Sequence, residues 1–175
     1  MIVRPDDPGA ADVRELLQAH LVLMRSQSEP GDVHALDVEA LQGPGVTLLS
    51  CREEGLLLGV GALAPVSDSL AEVKSMHTAV TARGRGVARR VLAALLDVAE
   101  QQGFSHVSLE TGSQAAFAPA RALYASAGFL VCPAFGAYRP SGASTFMTRE
   151  LPLGEVGARS PTYRCQRRPS PPRTR

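Results

Sequence analysis

Between an apolar run and a long helical pattern, the segment Thr81-Ala82-Arg83-Gly84-Arg85-Gly86-Val87-Ala88-Arg89-Arg90 carries two glycines and four arginines. That combination suits an anion. Free backbone N–H groups at a helix start, with the positive end of the macrodipole behind them, cradle phosphate oxygens, and glycine lets the ligand approach the backbone. Arg83, Arg85, Arg89 and Arg90 add charged donors around the turn. A nucleoside-triphosphate loop would need Gly-Lys followed by Ser or Thr, and neither is present. A dinucleotide fingerprint would need a third glycine where Arg89 stands and an acidic residue ending a later parallel strand. Glu110 could be pressed into that role, but the antiparallel meander expected upstream is wrong for it. Glycines placed for packing alone are the remaining alternative, and the density of arginine argues against it.

Other chemistry is thinner. His20, His34, His77 and His106 show no metal-ligand spacing, so no metal is expected and they read as satisfied core or surface histidines. Cys51, Cys132 and Cys165 stand singly, which fits free thiols in a reducing cytoplasm, and Cys132 in an apolar run reads as buried filler. With no Trp and three Tyr, the chain lacks an aromatic surface on which nucleic acid bases could stack.

The elements that must position the loop follow from periodicity. MIVR is a short strand, and after Pro5 to Pro8 the residues Val13, Leu16, Leu17, His20, Leu21 and Met24 recur at helical spacing over about 9 to 25. A shorter helical pattern through Val33, Leu36 and Leu41 ends at Gly43-Pro44-Gly45. VTLLSCRE and LLLGVGALAP, separated by Glu53, Glu54 and Gly55, form a hairpin, and LAEVKSMHTAV continues it as a third antiparallel strand. Gly84 to Gln102 is the strongest helix, with Val87, Val91, Leu92, Leu95, Val98 and Ala99 on one face and Gly103 as its stop. FSHVSLE is then a strand, Pro119 to Ala127 a helix closed by Gly128, and FLVCPAF and STFMTREL the last two strands. This order predicts an α/β (α+β) domain with a mixed sheet over residues 1–151.

Residues 152–175 read as a Pro- and Arg-rich disordered tail, too poor in apolar residues to fold. Its six arginines after Glu155 carry the net charge from −5 to +1, a basic end that could attract nucleic acid only weakly. With 45% hydrophobic and 20% charged residues the rest is ordinary globular composition. No apolar stretch reaches the length of a membrane span and the N-terminus lacks a basic start with an apolar run, so a soluble cytoplasmic protein is expected. Self-association into a homodimer is left open.

Arg83-x-x-Gly86-x-Ala88 after an apolar strand resembles the acyl-CoA pyrophosphate loop of the GNAT superfamily of N-acetyltransferases. Leu123-Tyr124 and Gly128-Phe129 stand downstream at the spacing of that superfamily, and the element order agrees over residues 1–151. Within it, KSMHTA, SLETGSQAAFAPARALYASAGF and STFMTREL are similar to a YsnE-like subgroup of bacterial acetyltransferases. The resemblance implies an acetyl-CoA-dependent transfer to the primary amine of a small molecule or peptide, within a ternary complex. It implies that Met76, His77 and Thr78 lie on a splayed strand edge that pairs with the pantetheine arm. Gly84, Arg85, Gly86, Val87, Ala88 and Arg89, with Arg83, would hold the pyrophosphate. Tyr124 takes the role of general acid toward the departing thiolate, against the alternative of a core aromatic. Glu72, on the strand leading to the pantetheine stretch, is the candidate general base, or else a solvated carboxylate paired with Lys74. One departure stands out: many members carry asparagine seven residues before the tyrosine, where this chain has Phe117, and Gln114 or Ser113 would have to substitute.

Two rivals share the loop. A non-catalytic acyl-CoA sensor would need the phosphate site but neither Tyr124 nor Glu72, and an NAD-binding oxidoreductase is disfavoured by Arg89.

Overall fold

The computed structural model describes residues 1–27 and 38–152. The part of the second helical pattern containing Val33, His34 and Leu36, and the tail with Cys165, lie outside the described residues. A seven-stranded sheet runs in the order β1-β2-β3-β4-β5-β7-β6. Its strands are β1 (Ile2–Pro5), β2 (Thr47–Glu53), β3 (Leu56–Pro65), β4 (Leu70–Thr78), β5 (His106–Gly112), β6 (Leu130–Val131) and β7 (Ser144–Glu150). Every neighbouring pair is antiparallel except β4 and β5. The helices are α1 (Ala11–Gln27), α2 (Val38–Leu41), α3 (Val87–Gln101) and α4 (Ala118–Ser126).

Alternation along the strands sorts the core into two faces. Leu49, Leu58, Leu63, Val73 and Leu109 pack with Val91, Leu92 and Leu95 of α3 and with Phe129 after α4. Leu48, Val60 and Ala62 point the other way and are covered by Val13 and Leu17 of α1 and Leu41 of α2. A third cluster, Leu70 with Phe135 and Phe146, extends the α1 face toward β7. Leu70, Glu72 and Lys74 alternate along β4, so both charged residues lie on that same face, away from α3.

Two boundaries differ from expectation. Helix α3 begins at Val87 and not at Gly84, because Gly84 and Gly86 take φ of 75° and 78°, left-handed values that end the preceding turn and cannot continue a helix. Of FLVCPAF only Leu130 and Val131 form a strand, 73% and 71% exposed at the sheet edge, with one further bond from the Cys132 N–H to the Phe146 carbonyl. Pro133 cannot donate to a ladder, and Phe129 and Phe135 at either end leave the strand to enter two different clusters.

Candidate active site

The sheet opens where β4 meets β5. Parallel pairing runs from Leu70↔His106 to Val73↔Leu109 and stops there, although both strands continue. On its other side β4 carries a bulge: Val60 pairs with His77 and Ala62 with Lys74, so Ser75 and Met76 together face Gly61. Ser75 sits at φ 53°, the kink that turns Met76, His77 and Thr78 away from β5. Beyond Val73 the β5-facing edge of β4 has no strand partner among the described residues.

A cleft of about 720 Å³ fills this opening. Its lining brings together Glu72, Met76, His77 and Thr78 of β4, the turn Arg83, Gly84, Gly86, Val87, Ala88 and Arg89, and Tyr124 of α4. Gly86 is the N-cap of α3 and supplies no side-chain cap, so the first-turn N–H groups are unclaimed by capping. A Cβ added at Gly84 or Gly86 would meet nothing within 4 Å, which leaves the turn open to a ligand. Arg85 departs from the expected set: its guanidinium is paired with Glu53 of the β2–β3 hairpin, and it is not part of the cleft lining.

Tyr124 is 6% exposed, and its ring meets Phe129 edge-on at 5.9 Å. Its hydroxyl makes no hydrogen bond among the described residues. Burial, and then the charge of Glu110, push its pKa above the usual phenol value, so the proton is present at neutral pH. The same burial makes a lasting phenolate costly.

Glu72 is 7% exposed, which removes the solvated alternative while keeping the partner expected for it. Lys74 Nζ donates to Glu72 Oε1 at 2.8 Å and to the Tyr138 hydroxyl at 2.7 Å, and that hydroxyl donates to the same Oε1. The Tyr138 ring is wedged against Phe135 at 5.2 Å and Phe146 at 5.4 Å. Burial, then the carboxylate of Glu72, push the Tyr138 phenol upward.

Tyr138, Glu110 and His20 line the cleft, and sequence reasoning gave none of them a role there. Glu110 continues the polar side of β5, an alternation that was visible in SLETG. Tyr138 lies in a turn-rich segment with no periodic signal. His20 is the surprise: it is 8% exposed on α1, its Nδ1 is buried without a partner, and its ring lies 5.0 Å from that of His77. Burial and then His77 bring its pKa down to about 4, so it is neutral and not the satisfied histidine its type suggested. Burial, followed by the charge of Arg83, lowers His77 as well.

Phe117 occupies the position where asparagine was expected, and is 8% exposed in the cleft wall. Gly112 makes room for it: a Cβ there would stand 2.3 Å from the Phe117 ring. Of the two substitutes, Ser113 spends its hydroxyl on the Gly142 carbonyl at 2.7 Å, whereas Gln114 Oε1 is buried without a partner. Cys132 is half-buried beside the Phe135 cluster and Cys51 fully buried, and no metal-ligating cluster occurs among the described residues. No described helix is long and apolar enough to cross a membrane.

A sheet that splays beside an uncapped helix start, with a buried tyrosine across the gap, defines an acyl-CoA-dependent acyltransferase. Residues 11–129 match the model of the Acetyltransferase (GNAT) family, and the chain belongs to that family. It is 41% identical over 151 residues to the uncharacterized N-acetyltransferase YsnE of Bacillus subtilis, spanning 86% of this chain and 100% of that one. It is 38% identical over 119 residues to the IAA acetyltransferase of Azospirillum brasilense, across 67% of this chain and 76% of that one. Among solved structures, a Klebsiella pneumoniae protein described as an acyl-CoA N-acyltransferase superposes with a TM-score of 0.71 at 26% identity, covering 86% of this chain and 97% of the other. YncA of Salmonella typhimurium, solved with acetyl-CoA, has a TM-score of 0.66 at 24% identity, covering 91% and 98%, a likeness of fold.

Proposed function

We propose that this acetyltransferase moves an acetyl group from acetyl-CoA to a primary amine by direct attack within a ternary complex. The observation that carries this reading is the junction of the unpaired β4 edge with the uncapped N-terminus of α3 in one cleft. The residues fit such a ligand: the open turn at Gly84 and Gly86, with Arg83 and Arg89, suits the pyrophosphate, and the strand edge from Met76 to Thr78 suits the amide groups of pantetheine. Bound acetyl-CoA supplies the thioester, so that an N–C bond forms, the C–S bond breaks, one proton leaves nitrogen and one joins sulfur.

The chain's own groups manage those two protons. Tyr124 offers its hydroxyl toward the sulfur side, where a donor is needed as the thiolate departs. Since its phenolate is disfavoured by burial and by Glu110, the proton must be replaced promptly. Glu72, held by Lys74 and Tyr138, accepts the ammonium proton through a water molecule, its second oxygen having no partner among the described residues. Glu72→Gln keeps the hydrogen bonds from Lys74 and Tyr138 possible while removing the base.

Thiol release from acetyl-CoA over a panel of amines, with calorimetry of acetyl-CoA binding, tests the proposal. Binding with amine-dependent thiol release is expected, and Glu72→Gln should lose activity at neutral pH by a factor that shrinks as pH rises toward the amine's own pKa. Tight binding without turnover of any amine would point to a sensor, and absence of acetyl-CoA binding would overturn the reading.

A further inference from the structure

The cleft has a second end, on the α1 face of the sheet, whose charges the transfer of acetyl leaves only partly used. Glu72 and Lys74 alternate on that face, with side chains 9% and 11% exposed, and they touch at 2.8 Å. Both bonds to Glu72 fall on Oε1, and Oε2 has no partner among the described residues. Lys74 has three donors and spends two, on Glu72 and Tyr138. Charged groups this buried, with valences left over, are costly unless a ligand or water completes them. Glu110, one residue past the last β4–β5 pair, lines the same cleft.

We propose that the acceptor is a free α-amino acid, bound as a zwitterion with its carboxylate on Lys74 and its ammonium toward the open Oε2 of Glu72. The inference rests on the acetyl-transfer reading and names the substrate class of that site. Two features favour the zwitterion. A monoamine satisfies Glu72 but leaves the third donor of Lys74 unanswered. Opposite charges in contact call for a ligand whose own opposite charges are adjacent, as they are across the single α-carbon of an amino acid; a lysine ε-amine or a polyamine separates its charges too widely.

Tyr138 makes Lys74 a fixed element of this floor. Its hydroxyl accepts from Nζ, Nζ lies 5.3 Å from its ring centroid, and Phe135 and Phe146 hold the ring. A lysine so held recognises a carboxylate without first losing the freedom of a long side chain. The side chain of the amino acid would lie toward α1, where Leu23 and the nearly buried ring of His20 form the wall.

The test compares matched acceptors on the intact enzyme: phenylalanine, phenylalanine methyl ester and phenethylamine, with the same triplets for leucine and methionine, scored by thiol release and by calorimetric binding of the acceptor. A preference in kcat/KM of at least ~10-fold for the free amino acid over both partners is expected, equivalent to about 1.4 kcal/mol. Lys74→Met should bring that ratio toward one by raising KM for the amino acid. The ratio is internal to each protein, so partial misfolding cancels, and the wild-type panel needs no variant at all. Esters or amines that match or surpass the amino acids in the wild type would overturn the proposal. So would acetyl-CoA binding with turnover of other amines only. Loss of acetyl-CoA binding itself would instead strike the underlying acetyl-transfer reading.

Discussion

The two ends of the cleft are built by different means. The end at Arg83 to Arg89 is made by backbone: two left-handed glycines, an uncapped helix start and flanking arginines, all within one stretch of chain. The other end is made by side chains from separate segments, His20 of α1, Glu72 and Lys74 of β4, Glu110 of β5 and Tyr138 of the loop before β7. A site made of backbone tolerates change in most side chains but not in its glycines. One made of side chains can be retuned residue by residue, which suits a fixed cosubstrate at one end and a particular acceptor at the other.

Acidification separates the ends most strongly. His20 is held neutral with a pKa near 4 against an unfolded value of 6.5, so between those values the unfolded chain binds the extra proton. Stability is therefore full above about pH 6.5 and is lost as pH falls toward 4, by roughly 3 kcal/mol for this group. The neighbouring charges are those of His77, itself shifted downward, and of Arg83 beside it. His20→Leu should flatten the fall of melting temperature between pH 6.5 and 4.5; an unchanged slope would show that His20 is not the group that titrates.

Next in size is the loss at the point where the two ends meet. Tyr124→Phe preserves the ring against Phe129 while removing the donor. Single-turnover acetyl transfer should fall by about 10²-fold with acetyl-CoA affinity within about twofold of wild type, as expected for a positioned proton donor. Full single-turnover activity would withdraw the acid role from Tyr124 and leave the binding site standing.

The same contrast explains what could be read from the sequence. The element order, the β2–β3 hairpin through Glu54 and Gly55, and the loop were legible because each is encoded by neighbours along the chain. Even there, the ion pair of Arg85 with Glu53 could not be read, since the two are 32 residues apart and no local pattern announces it. The other end was legible only through Glu72 and its partner Lys74. Tyr138 reaches β4 across 64 residues from a segment of turn formers, and the His20–His77 contact joins a helix to a strand by packing alone. Phe117 could be seen to break a pattern, but the compensating space at Gly112 became visible only in three dimensions.

A smaller effect bears on the account as a whole. Gly86→Asp puts a side chain at φ 78° and a negative charge at the helix start, where the pyrophosphate is expected to lie. Isothermal calorimetry of acetyl-CoA with the folded Gly86→Asp protein, at the ionic strength used for wild type, is the most direct measurement. Affinity lower by at least ~10-fold, or about 1.4 kcal/mol, with the melting temperature little changed, is the result predicted. Wild-type affinity in a folded Gly86→Asp protein would mean that the cosubstrate binds somewhere other than this turn.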